Sequence, residues 1–392
     1  MMRRSLPFIA AGLILAAGAA VRGQSDVHRS ALYDFRAVPV VEGLEIPWSM
    51  AWLPNGDMLV TERPGRLRIV RNGALLPDPV PGVPEVHAVG QGGLFDVLPH
   101  PDFATNRLLY LAYATPSADA STTRVVRARF ENDRLGELEE IFVSISEGRG
   151  HYGGKLAFDG SGHLFITLGD RQVPPEGDLE AHPAQDLTNH HGALIRLHDD
   201  GRVPDDNPFV GRADARPEIW SYGHRNMQGL AIHPETGDVW VTEHGPQGGD
   251  ELNRVEPGRN YGWPVIGYGV NYRTGLAIHE GTMREGMEHP DHFWVPSIAA
   301  SGLIVYTGDR FPEWRGNIFA GGLAGEQIAR LTLGADGRTV EREETLVQGI
   351  GRVRDIRQGP DGYIYVAIEN EDEGALTPIV RLEPMEPPTS SM

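Results

Sequence analysis

Six recurrences of one local pattern, the lack of any dozen-residue amphipathic helical period and a high content of turn residues predict an all-β fold. The architecture they predict is a six-bladed β-propeller with long loops on its active-site face. The pattern is a Pro/Asp/Asn/Gly turn, a short apolar run of strand-forming residues, then a polar or Gly-rich exit. It occurs at 54–62 (PNGDMLVTE), 100–112 (HPDFATNRLLYLA), 159–170 (DGSGHLFITLGD), 233–244 (HPETGDVWVTEH), 307–321 (TGDRFPEWRGNIFAG) and 359–369 (GPDGYIYVAIE). Spacings of roughly fifty to seventy-five residues suit blades that carry long loops. Further β-type runs lie between the copies, at 66–71, 123–130, 193–197, 302–306 and 328–333. The 49 glycines and 30 prolines, with no collagen-like period, supply the tight turns that such a chain needs. A single open sheet of this many strands would expose edges, which radial closure limits. Two all-β domains in tandem are the alternative, but no linker-like segment divides the chain.

Taken in order, the chain begins with a predicted signal peptide over residues 1–23. Residues 1–4 are basic, 6–20 are small and apolar, and Ala17-Gly18-Ala19 offers an A-x-A cleavage pattern. The apolar run is short for a membrane helix, and no cysteine follows it to carry a lipid. A periplasmic or secreted protein, free of the membrane after cleavage, is expected. The propeller is expected over 33–383, with elaborated loops at 171–217 and 262–296, and a disordered tail over 384–392. The formal net charge is −19, and more acidic without the leader, which argues against nucleic acid or anionic membrane as a partner. The absence of cysteine excludes disulfides, thiolate catalysis and Cys-based zinc sites. Lys155 is the single lysine, so lysine chemistry has one possible source.

Polar residues capable of chemistry crowd the stretch 217–264 (PEIWSYGHRNMQGLAIHPETGDVWVTEHGPQGGDELNRVEPGRNYGWP). Its middle reads as two strands around a turn, with loops 223–228 and 243–250 emerging on the same side. There, Arg225 and Asn226 pair a guanidinium with a carboxamide, suited to a ligand bearing carboxylates or carbonyls, or equally to an interblade ion pair. Gly245-Pro246 could turn backbone carbonyls toward a hard cation, with Asp250 and Glu251 near, or be an ordinary turn. Upstream, His151 lies in GRGHYGG. That run fits G-x-G-x-x-G, but no helix follows to hold a pyrophosphate; a general base or a structural histidine both fit. Gln91 in VGQGGL is by itself a turn glutamine. Arg352 and Arg354 alternate, so both face one side of an extended segment, as polyanion ligands or as a solvated edge. His182, His190 and His191 lack metal-ligand spacing and read as loop residues. No nucleophile-elbow, P-loop or zinc signature is present.

Seven segments in order, IPWSMAWLPNGDMLVTER, GQGGLFDVLPHPDF, LFITLGDR, WSYGHRNMQGLAIHP, TEHGPQGGDELN, NYGWP and GRVRDIRQGPDGYIYV, resemble the soluble quinoprotein glucose/sorbosone dehydrogenases, including the bacterial aldose sugar dehydrogenases. The resemblance spans about 38–382. It implies a six-bladed propeller and a pyrroloquinoline quinone (PQQ) cofactor held with calcium on the top face. It further implies that His151 removes the proton of an aldose C1 hydroxyl while a hydride passes to the quinone C5, giving a lactone. Asp170 would orient that histidine; Gln91, Arg225 and Asn226 would contact quinone or substrate. Gly245 and Pro246 would offer carbonyls to calcium, and Arg352 and Arg354 would hold the cofactor's carboxylates. One departure stands out: Ala324 falls where the family usually has a quinone-contacting lysine. The implied partners are an aldose and an electron acceptor of unknown identity, with the chain a monomer or homodimer. A non-catalytic propeller binding sugar or protein, and a calcium-dependent lactone hydrolase, are the competing readings.

Overall fold

The computed structural model describes residues 27–117, 120–372 and 374–385. The expected leader falls outside them, as do residues 386–392 of the expected tail. Among the described residues, helix is limited to Phe103–Asn106 and three single 3-10 turns. The strands form six antiparallel sheets, five with four strands and one with five. Their innermost strands are Pro47–Trp52, Leu94–Pro99, Leu156–Phe158, Met227–Ile232, Ala300–Val305 and Arg352–Gln358, and each lies beside the next around a ring. This is the six-bladed propeller expected from the repeats.

Each copy of the repeat is the hairpin into a blade's second strand. The six strands concerned are Met58–Glu62, Leu108–Ala114, His163–Thr167, Val239–Glu243, Ile318–Gly322 and Ile364–Glu369. Glycine is needed at the turn where the backbone enters the left-handed region, as at Gly56 (φ +88) and Gly362 (φ +80). The second strands do not alternate between buried and exposed. Met58–Glu62 and Ile364–Glu369 are buried at every position, because each inner sheet is covered by a blade on both faces. Outer strands are wetter, as in Val340–Leu346.

The sixth blade is completed from the other end of the chain. Asp34–Leu44 pairs with Thr377–Pro384, from Phe35 opposite Pro384 to Leu44 opposite Thr377. That ladder reaches Pro384, the first residue of the expected tail, and the Met385 N–H donates to Asp34 O. Both loop-rich segments contain a strand, the one expected at 193–197 and, unexpectedly, one at the end of 262–296. Leu194–His198 is the third strand of blade three, and His292–Trp294 is the outer strand of blade four.

Candidate active site

All the functional side chains sit on one end of the propeller. They come from connections between blades, from turns between second and third strands, from inner strands in the case of Gln228, Arg352 and Arg354, and, for Trp263, from the long connection between the third and fourth strands of blade four. The loop 144–155 enters blade three, and 168–193 leaves its second strand. Their close approach explains the glycines of GRGHYGG. A Cβ on Gly153 would lie 2.4 Å from Thr167 O, and one on Gly169 would lie 2.2 Å from His151 O. The glycines thus seat one backbone on another, which is why the run matched a phosphate motif without being one. His151 itself is held at φ +44, uncommon for a side-chain-bearing residue.

His151 Nδ1 lies 2.5 Å from Asp170 Oδ1. A carboxylate accepts only, so Nδ1 carries the hydrogen and Nε2 is the bare, basic nitrogen. Asp170 is fixed by the indole N–H of Trp263, which donates to Oδ2 at 2.7 Å, and by the Gln172 N–H at 2.9 Å. Burial pushes the proton affinity of His151 below its ordinary value; Asp170 opposes the shift, while Arg225 and Arg171 add to it. Burial would raise the Asp170 carboxyl, but His151 and Arg225 outweigh it and hold it below the usual range. The pair is therefore a neutral imidazole on an ionised carboxylate at neutral pH.

The hairpin of Met227–Ile232 and Val239–Glu243 organises the rest. Arg225 precedes its first strand and donates from Nη1 to His244 O (2.9 Å) and Gly245 O (2.6 Å), just past the second. Its guanidinium lies over the Trp263 ring at 5.2 Å, and its carbonyl receives the Asp170 N–H. The carboxamide of Asn226 accepts from Gln228 Nε2 at 3.0 Å, and Gln228 Oε1 accepts from Arg354 Nη1 at 3.0 Å. Gln91 Oε1 accepts the His151 N–H at 2.7 Å, so this glutamine positions the histidine loop.

Two cavities adjoin here, sharing Gln91 and His244. The first, about 440 Å³, contains His151, Asp170, Arg225, Pro246 and Trp263, with Tyr272 at its mouth. The second, about 180 Å³, reaches the propeller axis and is lined by Arg63, Asn226, Gln228, Arg352 and Arg354 over Trp48. Arg352 and Arg354 do face one side, and both grip Glu369, whose side chain is 0 % exposed. Burial alone would raise the Glu369 carboxyl; Arg354 and Arg352 outweigh it and hold it below the usual range. The arginine pair is thus half neutralised before any ligand arrives.

Sequence reasoning missed Trp263, His244 and Arg63. Trp263 and His244 stand inside quoted motifs, NYGWP and TEHGP, but nothing local marks an indole as the partner of a carboxylate 93 residues away. His244 Nε2 is buried without a hydrogen-bond partner, and burial, with Arg354 and Arg225, drives its proton affinity well below the ordinary histidine value. The three histidines lie between the strands His163–Thr167 and Leu194–His198, as expected, and each is hydrogen-bonded there. His190 bridges Ile145 N and Glu218, His191 meets Ser146, and His182 accepts from Ala184 N.

A polyanionic, carbonyl-bearing cofactor such as PQQ fits the residues present: arginines at the axis, carboxamides between, and an unpartnered imidazole at the junction. The calcium expected at the Gly245 and Pro246 carbonyls has no free set of oxygens laid out for it among the described residues. Gly245 O is already held by a guanidinium, Asp250 is engaged by Gly245 N, Ser297 Oγ and Ala300 N, and no cluster of three acidic or histidine ligands occurs among the described residues.

An all-β propeller with a carboxylate-anchored histidine beside an arginine-lined axial cavity has the layout of an enzyme active site. Over residues 44–378 the chain matches the model of the Glucose / Sorbosone dehydrogenase family, and it belongs to that family. It is 47% identical over 363 residues to an uncharacterized protein of Synechocystis sp. (strain ATCC 27184 / PCC 6803 / Kazusa), covering 89% of this chain and 87% of that one. It is 42% identical over 342 residues to Aldose sugar dehydrogenase YliI of Escherichia coli (strain K12), covering 85% and 89%. The PQQ-bound form of Aldose Sugar Dehydrogenase from Streptomyces coelicolor superposes with a TM-score of 0.72 at 27% identity, covering 88% of this chain and 96% of that one.

Proposed function

We propose that this chain is an exported, PQQ-dependent aldose dehydrogenase that oxidises the C1 hydroxyl of a sugar to a lactone. The observation that carries the reading is His151, whose Nδ1–H is committed to Asp170 and whose basic Nε2 is left for a substrate in the larger cavity. PQQ-bound and aldose-dehydrogenase relatives support the cofactor and substrate class. When bound, PQQ supplies the acceptor for the hydride that leaves sugar C1. His151 Nε2 takes the hydroxyl proton, and the ionised Asp170 stabilises the imidazolium so formed. Trp263 keeps Asp170 in place, and Arg225, stacked on that indole, presents positive charge beside the same cavity. Asn226, Gln228, Arg352 and Arg354 would hold the cofactor at the axis. The signal peptide expected at residues 1–23 supports a reaction outside the cytoplasm.

The test is titration of purified apoprotein with PQQ, followed by dye reduction with a panel of aldoses. Saturable binding and sugar-dependent reduction are expected. His151→Ala is expected to retain PQQ binding and to lose about 10²–10⁴-fold in turnover. Full activity in that folded variant would remove His151 from the mechanism, and no PQQ binding by the wild-type protein would remove the cofactor.

A further inference from the structure

The axial cavity has fewer available cations than its sequence suggests. Arg354 spends Nε and Nη2 on Glu369 and Nη1 on Gln228, so all its nitrogens are engaged. Arg352 spends Nε and Nη2 on the same Glu369, leaving one nitrogen. Lys155 is locked to Asp355 at 2.8 Å in the core. Ala324 is uncharged, in the exposed turn next to Leu323, which lines the cavity. Two guanidiniums sharing one buried carboxylate carry a net single charge, too little for a ligand with several carboxylates.

Arg63 changes that balance. It follows the second strand of blade one, Met58–Glu62, and its side chain lines the same axial cavity at 18 % exposure. Its Nη1 donates to Gly90 O, beside Gln91, which tethers the guanidinium over the cavity. Among the described residues, Nε and Nη2 have no hydrogen-bond partner. Its one ionic contact is Glu371 at 3.2 Å, a residue 51 % exposed. An ion pair whose carboxylate is half exposed is worth little, so a competing carboxylate can displace it.

We propose that Arg63 is the principal guanidinium receiving a carboxylate of the bound quinone, with Glu371 as a displaceable counter-ion that competes for it. This role rests on the quinone reading above. It gives the chain a cation on blade one in place of the family's lysine on blade five. A guanidinium also suits the task, because its two free nitrogens can meet both oxygens of a carboxylate.

The test is PQQ titration of apoprotein at low ionic strength, read by quenching of tryptophan fluorescence, with thermal melts to verify folding. Arg63→Gln is expected to weaken PQQ about ten-fold or more. Glu371→Gln is expected to tighten it about two- to five-fold. Opposite signs from two neighbouring substitutions are not what general loss of structure produces. Wild-type binding with both variants unchanged, or with both weakened, would overturn the role of Arg63 and leave the cofactor reading intact. No wild-type binding would overturn both.

Discussion

At the scale of single residues, His151 is tuned by two opposed effects. Burial of the ring disfavours its charged form, and the ionised Asp170 restores part of the lost proton affinity; the net result lies below the ordinary 6.5. The proposed base is the neutral ring, so acidification through 6.5 leaves it competent. The acidic limb of the kcat/KM profile for sugar oxidation is therefore expected below pH 6.5. The same shift costs stability in acid. Unfolded His151 takes a proton near 6.5 while the folded ring does not, so its contribution is present above that pH and declines as pH falls toward the folded value. A profile measured with an artificial dye acceptor decides the point. A limb at or above 6.5 would mean that another group controls the reaction, or that the ring is more hydrated than the structure shows.

At the scale of elements, the site depends on two loops whose backbones touch. Gly169→Ala would place a Cβ 2.2 Å from His151 O and 2.7 Å from the adjoining carbonyl carbon, and neither backbone can turn aside as a side chain would. The loop 144–155 would have to move, lengthening the bond from His151 to Asp170. The expected result is a loss of about 1–3 kcal/mol in stability and a fall in kcat that exceeds any change in KM. Thermal melts and steady-state kinetics on the same preparation measure both, and an unchanged kcat would show that the loops are not in register-defining contact. This contact also marks the limit of what was legible in the sequence. The six hairpins could be read because turn chemistry is local, set by Gly, Asp and Pro within a few residues. The outer strands Arg134–Val143 and Val340–Leu346 could not, because one side of them is wet and their composition is charged. His151, Arg225 and the alternating Arg352 and Arg354 stood out as residue types in suggestive loops. Their partners Trp263 and Glu369 did not, since a partner is chosen by the closure of the ring and not by sequence spacing.

At the scale of the whole molecule, closure is achieved twice, once at the rim and once on the axis. At the rim, the N-terminal strand Asp34–Leu44 completes the blade that the C-terminus begins. On the axis, three buried charges and the partly buried Arg357 tie blades together. Asp355 and Arg357 come from the inner strand of blade six, Asp96 from that of blade two, and Lys155 from the entry to blade three. Lys155 Nζ meets Asp355 Oδ1 at 2.8 Å, and Arg357 bridges Asp355 and Asp96 at 2.9 Å each. Asp96 also binds Ser49 of blade one and accepts the Leu156 N–H at 2.8 Å. Two cations balance two carboxylates, which is the condition for keeping them out of water. The Lys155 ammonium also lies 4.3 Å from the centre of the Trp48 ring, so the network floors the cavity proposed to hold the cofactor. Lys155→Met preserves most of the packing and leaves one buried carboxylate unbalanced. The expected loss is about 3–5 kcal/mol, the magnitude typical of breaking a buried pair from one side. Lys155→Met combined with Asp355→Leu restores neutrality, with Arg357 still opposite Asp96, and is expected to recover part of that loss. Urea unfolding of the three proteins separates charge balance from packing. A single variant within about 0.5 kcal/mol of wild type, or a double variant below the single, would show that the axis is held by apolar contacts between inner strands and that the charges merely fill the space left there.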